Sequence, residues 1–151
     1  MKLNEASDLL GNLLSETSIK SEIKIYKSFI AILTDLDNRN LPSEEMDLID
    51  KELNRLKPVI NSDNKKKHIR KVLHSFKKFL KENLSLVTEG YYTAMGLALG
   101  ISFGVAIGTA INVPIGLSMG ISIGMIIGMG VGKNMDLKAE KENRVLKTKT
   151  K

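Results

Sequence analysis

The side chains that could do chemistry are few. His68 and His74 are the two imidazoles, and the chain has no cysteine. Six residues apart, they sit roughly 240° from each other around a helix, so they cannot close on one metal from one face. They read as partly exposed helix residues. Without cysteine, disulfide frameworks, thiolate metal sites and cysteine nucleophiles are excluded. Gly128, Gly130 and Gly132 before Lys133 have the outline of a phosphate loop. That motif needs glycine where Ile127 stands and Ser or Thr where Asn134 stands, and Lys133 takes the last position of a G-x-G-x-x-G pattern. No Ser/His/Asp arrangement is present, and the acids scatter over the N-terminal part. The expectation is a non-enzyme with no metal and no cofactor.

Charge carries more information than catalytic chemistry does. The net +6 divides into −3 over residues 1–57, +5 over 58–90, zero over 91–132 and +4 over 133–151. Between Lys65 and Lys81 lie Lys65, Lys66, Lys67, Arg70, Lys71, Lys77, Lys78 and Lys81, with no acid among them. Ile69, Val72, Leu73, Phe76, Phe79, Leu80 and Leu84 recur on the other face, and Ser62 or Asp63 is placed to cap the helix. A basic amphipathic helix just before an apolar span is expected to lie along anionic headgroups. A solvated bundle face is the simpler alternative. A helix-turn-helix can be drawn here too, but nucleic acid is the less economical partner.

The forty-two residues 91–132 carry no charge. As one helix they would measure about 63 Å, twice the roughly 30 Å hydrocarbon core, so two crossings fit. Asn112, Val113 and Pro114 lie in the middle, and proline disfavours helix at the residue before it while suiting a first turn. The predicted arms are therefore 91–111 and 115–132, with a turn at 112–114. Tyr91 and Tyr92 fall at the entry, where aromatic rings favour the headgroup layer. Lysines flank both outer ends and none sits in the turn. With no signal-like start, this predicts an inner (cytoplasmic) membrane location with both termini cytoplasmic.

Within this stretch glycine occurs at Gly96, Gly100, Gly104 and Gly108, then at Gly116, Gly120, Gly124, Gly128 and Gly132. Asn112 fills the one gap in the count of four. Lipid tails are as apolar as leucine, so membrane helices associate by close packing, which glycine permits. The run resembles the glycine-zipper class of membrane segments, whose members include channels, toxin pores and simple anchors. Ala98, Ser102, Ala106, Ala110, Ser118 and Ser122 lie midway between glycines and form a second small face. Two small faces suit a helix packed on both sides, as in a ring or row; one hairpin packing only on itself is the plainer reading. The same alternation of small and large residues also fits a β-rich assembly.

These segments need supporting elements. Apolar stripes predict three short helices in the first 60 residues: Leu3 to Leu14, Ile19 to Leu36, and Met46 to Ile60. Ser43 should cap the third and Pro58 should end it. Three such helices are marginal alone, so the next helix, another protomer or a cognate protein must cover them. The expected architecture is all-α. A cytoplasmic module spans 1–62, a basic juxtamembrane helix 63–90, a transmembrane hairpin 91–132 and a basic cytoplasmic tail 133–151. Its partners would be an anionic bilayer, further copies of itself and a possible cytoplasmic protein. The size, two spans and charged tail look like a phage holin or a cell-suicide effector. An oligomeric pore or lesion is thus the first expectation, and a non-conducting anchor or scaffold is the second.

Overall fold

A computed structural model describes residues 1–60, 65–111 and 113–148, with the side chains of 58–60, 65–67, 113 and 114 left aside. The described chain is all-α, with six helices and one two-stranded sheet of two-residue strands. The helices are α1 (Leu3–Glu16), α2 (Lys20–Asp37), α3 (Ser43–Ile60), α4 (Lys65–Leu84), α5 (Tyr91–Ile111) and α6 (Val113–Lys141). The strands are β1 (Val87–Thr88) and β2 (Val145–Leu146). Both arms of the neutral stretch are helical, which removes the β-rich alternative. A helix bonds its own backbone groups internally, whereas a few strands in lipid would leave open edges.

The chain forms two compact units, residues 1–88 with the tail from Leu146, and Glu89–Val145. In the first unit, Leu10, Phe29, Ile32, Leu53, Phe76 and Leu80 are fully buried. The Phe29 and Phe76 rings lie 5.3 Å apart between α2 and α4, a tilted contact that aromatic quadrupoles favour. The apolar partner that three short helices require is therefore the next helix of the same chain.

Local signals account for most boundaries. Glu5 accepts a hydrogen bond from the Lys2 backbone N–H at 3.3 Å, one half of a capping box. Buried Glu22, in the first turn of α2, accepts from the Thr17 hydroxyl at 2.6 Å. Two expectations shift. Ser43 is itself the first helical residue, and the Pro42 carbonyl accepts the Met46 N–H at 3.1 Å. Helix α3 continues past Pro58 to Ile60, since proline's fixed φ is helical and only one bond is lost near the end. The proposed Ser62–Asp63 cap lies outside the described residues.

The tail continues the last helix before it turns. Helix α6 runs unbroken to Lys141, because Asp136, Lys138, Ala139, Glu140 and Lys141 follow the span with no Gly or Pro to stop it. Asn143, at φ 55°, turns the chain, a conformation that asparagine tolerates well. Leu146 then enters the first unit's core at 1% exposure. The Lys147 N–H donates to buried Asp35 at 3.2 Å, and Asp35 also pairs with Arg39 at 2.8 Å. Lys149, Thr150 and Lys151 lie outside the described residues.

Candidate functional site

The second unit is built on its glycines. Each glycine of the repeat on α5 faces one on α6: Gly96 with Gly128, Gly100 with Gly124, Gly104 with Gly120, and Gly108 with Gly116. Gly132 faces the Tyr92 backbone, and every pair is equidistant in sequence from position 112. A Cβ at Gly104 would come 2.7 Å from the Gly120 carbonyl carbon, and one at Gly124 would come 2.8 Å from that of Gly100. Backbone therefore meets backbone along the whole hairpin. At each site the α-hydrogen in the Cβ direction points at a facing carbonyl, the arrangement of a Cα–H···O contact.

The large side chains flank this contact instead of filling it. On one side the residue before each glycine rises as a wall, Leu99, Phe103 and Ile107 from α5 and Met119, Ile123 and Ile127 from α6. Between these walls runs an apolar groove of about 750 Å³ floored by glycine. The residues after the glycines, Leu97, Ile101, Leu117 and Ile121, are half-buried. Both arms use the same positions for the same faces, as an antiparallel pair related by a pseudo-twofold axis must.

The second small face stays outside. Ala98, Ser102, Ala106, Ala110, Ser118 and Ser122 are all exposed. Their hydroxyls find partners on their own helices: Ser102 donates to the Ala98 carbonyl at 2.9 Å, Ser118 to Ile115 at 3.0 Å and Ser122 to Ser118 at 2.9 Å. Thr109 donates likewise to Val105 at 3.0 Å. A hydroxyl bonded in this way needs neither water nor a second chain. Of the predicted turn, Asn112 lies outside the described residues, while Val113 and Pro114 already belong to α6. Helices α5 and α6 are both long and apolar enough to cross a membrane, and little of either is buried.

The charged end of the hairpin carries a feature that motif reading missed. Asp136 accepts the Tyr92 N–H at 3.0 Å and the Thr93 N–H at 2.8 Å, capping α5 from the opposite arm. Burial pushes its carboxyl up, but hydrogen bonds from the Thr93 side chain and from the Thr93 and Tyr92 backbone outweigh that, leaving it below its ordinary value. The signal was present: 136 continues the count of four from Gly128 and Gly132, so the acid stands on the glycine face. Gly90 precedes α5 with no capping side chain of its own. The Tyr92 side chain and Glu142 hold the Arg144 guanidinium above its usual value. Tyr91 and Tyr92 stack edge to face at 5.2 Å.

Of the predicted surface cations, Arg70, Lys71, Lys78 and Lys81 are exposed on α4 and Lys77 is half-buried. Burial pushes the Lys77 ammonium down. The side chains of Lys65, Lys66 and Lys67 lie outside the described residues. Among the described residues no cluster of His, Asp and Glu is arranged to hold a metal. The chain matches no protein-family model, no curated protein and no solved structure.

Proposed function

We propose that this chain is a small integral membrane protein whose hairpin anchors a helical module at the inner face of the cytoplasmic membrane. The observation that carries this reading is the self-sufficiency of the hairpin. Its nine repeat glycines are consumed within the molecule, and the hydroxyls of Ser102, Thr109, Ser118 and Ser122 bond to their own helices. Such a pair can sit in lipid alone, as a glycine-zipper anchor. The chain leaves the first unit at Thr88 and re-enters it at Leu146. This supports both ends of the hairpin lying on one side, and the flanking lysines favour the cytoplasmic side.

A pore or lesion built from several copies is the second reading. It is favoured by the exposed outer face of Ala98, Ser102, Ala106 and Ala110, through which hairpins would associate. Two measurements decide. Single cysteines at Ser18 and Asn112 test the topology: an impermeant external reagent should label Asn112→Cys and spare Ser18→Cys. The reverse pattern would sink the anchor as drawn. Expression should leave the membrane potential unchanged. Depolarisation that disappears with Ala106→Leu, in a protein that still inserts, would put the pore first.

A further inference from the structure

Helix α4 turns two different faces outward and inward. Ile69, Val72, Leu73, Phe76 and Leu80 are buried in the bundle, so its apolar face is not available to a bilayer. Arg70, Lys71, His74, Lys78 and Lys81 are exposed and fall within roughly 100° of one another around the helix, along about 17 Å. Among the described residues Glu82 stands beside this stripe, 3.8 Å from Lys78, with both side chains more than half exposed. A pair of that kind neutralises little. The remainder of the module has a mixed surface, since Glu5, Asp8, Glu16, Asp37, Glu44 and Asp47 are exposed on or beside α1, α2 and α3 together with Lys20, Lys24, Lys27 and Lys51. On α1 to α3 the two signs are interspersed, whereas from Arg70 to Lys81 the exposed charges of α4 are all positive.

Chain length limits where that helix can be. Only Ser85 to Gly90 separate α4 from the first apolar span, a reach of at most roughly 25 Å even when fully extended. Two classes of polyanion would suit the stripe, a nucleic acid or a lipid surface, and the short tether favours lipid. We propose that the stripe from Arg70 to Lys81 binds anionic phospholipid headgroups and holds the module against the leaflet. Because the apolar face is already covered, the contact is electrostatic, without insertion, and therefore sensitive to salt. This inference rests on the membrane reading above.

The test uses the full chain in nanodiscs of phosphatidylcholine, with or without phosphatidylglycerol, under limited amine modification read by peptide mass spectrometry. Lys71, Lys78 and Lys81 should react about five-fold more slowly in the anionic discs, and about 0.5 M sodium chloride should restore their rates. Exposed Lys24, Lys27 and Lys51 serve as internal controls and should not change. The combined variant R70Q/K71Q/K78Q/K81Q should also lose phosphatidylglycerol enrichment on gentle detergent extraction. Equal rates in both discs, in a chain that has incorporated, overturn this inference and leave the anchor intact. Duplex nucleic acid protecting the same lysines more strongly than the anionic lipid overturns it in favour of a nucleic-acid partner. A chain that stays outside the discs overturns the membrane reading and this inference together.

Discussion

The bundle and the hairpin are assembled from the same residue types in opposite arrangements. In the bundle, Phe29 and Phe76 are 0% exposed, and large apolar side chains fill the space between helices. In the hairpin, Phe103 is 66% exposed and Ile111 is 77% exposed, while the contact between helices is glycine on glycine. Water makes the first arrangement stable, because burying apolar area is what drives helices together there. A hairpin in hydrocarbon gains nothing by hiding isoleucine from lipid, so close backbone approach becomes the organising interaction. The inversion is the physical reason for assigning the two units to different solvents.

The sharpest way to break that contrast is to make the same kind of change with opposite sign in each unit. Gly104→Leu places a side chain where the Gly120 backbone lies. The arms must separate, and the cost is expected to exceed about 4 kcal/mol, beyond the usual range for a point change. A cysteine pair at Leu97 and Leu117 would be unsuitable as a reporter, since these positions belong to different levels of the hairpin. Cross-linking between positions flanking Gly100 and Gly124 should instead fall to background. In the bundle the damaging direction is reversed: Phe76→Ala empties a fully buried site and should cost about 3–5 kcal/mol. For a module this small, that is enough to unfold it, as circular dichroism of the variant would record. A hairpin tolerant of Gly104→Leu would end the argument that its glycines hold the arms together.

How far the sequence discloses each unit follows from the same contrast. A repeat of four with a single gap at 112 is a one-dimensional signal, and it is enough to place the two arms and the glycine face on which they meet. The stripes Ile19 to Leu36 and Met46 to Ile60 likewise disclose α2 and α3. Long-range closures were not legible in the same way. Val145 and Leu146 are a short apolar pair in a charged tail, and nothing local says that Leu146 returns to the core formed by residues before the hairpin. Asp136 was readable only by extending the glycine count into a charged segment. The outer face of Ala98, Ser102 and Ala106 was legible as a pattern, but periodicity alone does not say whether it meets lipid or another copy.

Asp136 offers a smaller and pH-dependent test at the hairpin's charged end. Removing a side-chain cap costs about 0.5–2 kcal/mol, so Asp136→Asn should lower the thermal midpoint of the hairpin in detergent without opening it. The acid's folded pKa lies below its ordinary value. Its contribution is therefore complete above the unfolded pKa of about 3.9 and is lost as pH falls through the folded value. Wild type and Asp136→Asn should differ at neutral pH and converge well below pH 4. A constant difference down to the lowest pH would mean that the carboxylate's charge is not what caps α5.

The smallest expected effects come from glycines outside the repeat, and they test whether glycine acts by position or by abundance. Gly11 lies in α1 and Gly130 in α6, and an added Cβ would meet nothing within 4 Å at either. In a water-facing helix, glycine is less favourable than alanine by roughly 0.5–1 kcal/mol, because the unfolded chain loses more freedom. Gly11→Ala should therefore stabilise the bundle by about that amount, read as a higher denaturant midpoint with an unchanged slope. Gly130→Ala should leave the hairpin's stability and its cross-linking unchanged, although it sits between Gly128 and Gly132. If Gly130→Ala weakened the hairpin as much as Gly128→Ala, the contact would depend on overall glycine content and not on the facing pairs. If it is silent while Gly128→Ala separates the arms, the count of four is the interaction itself.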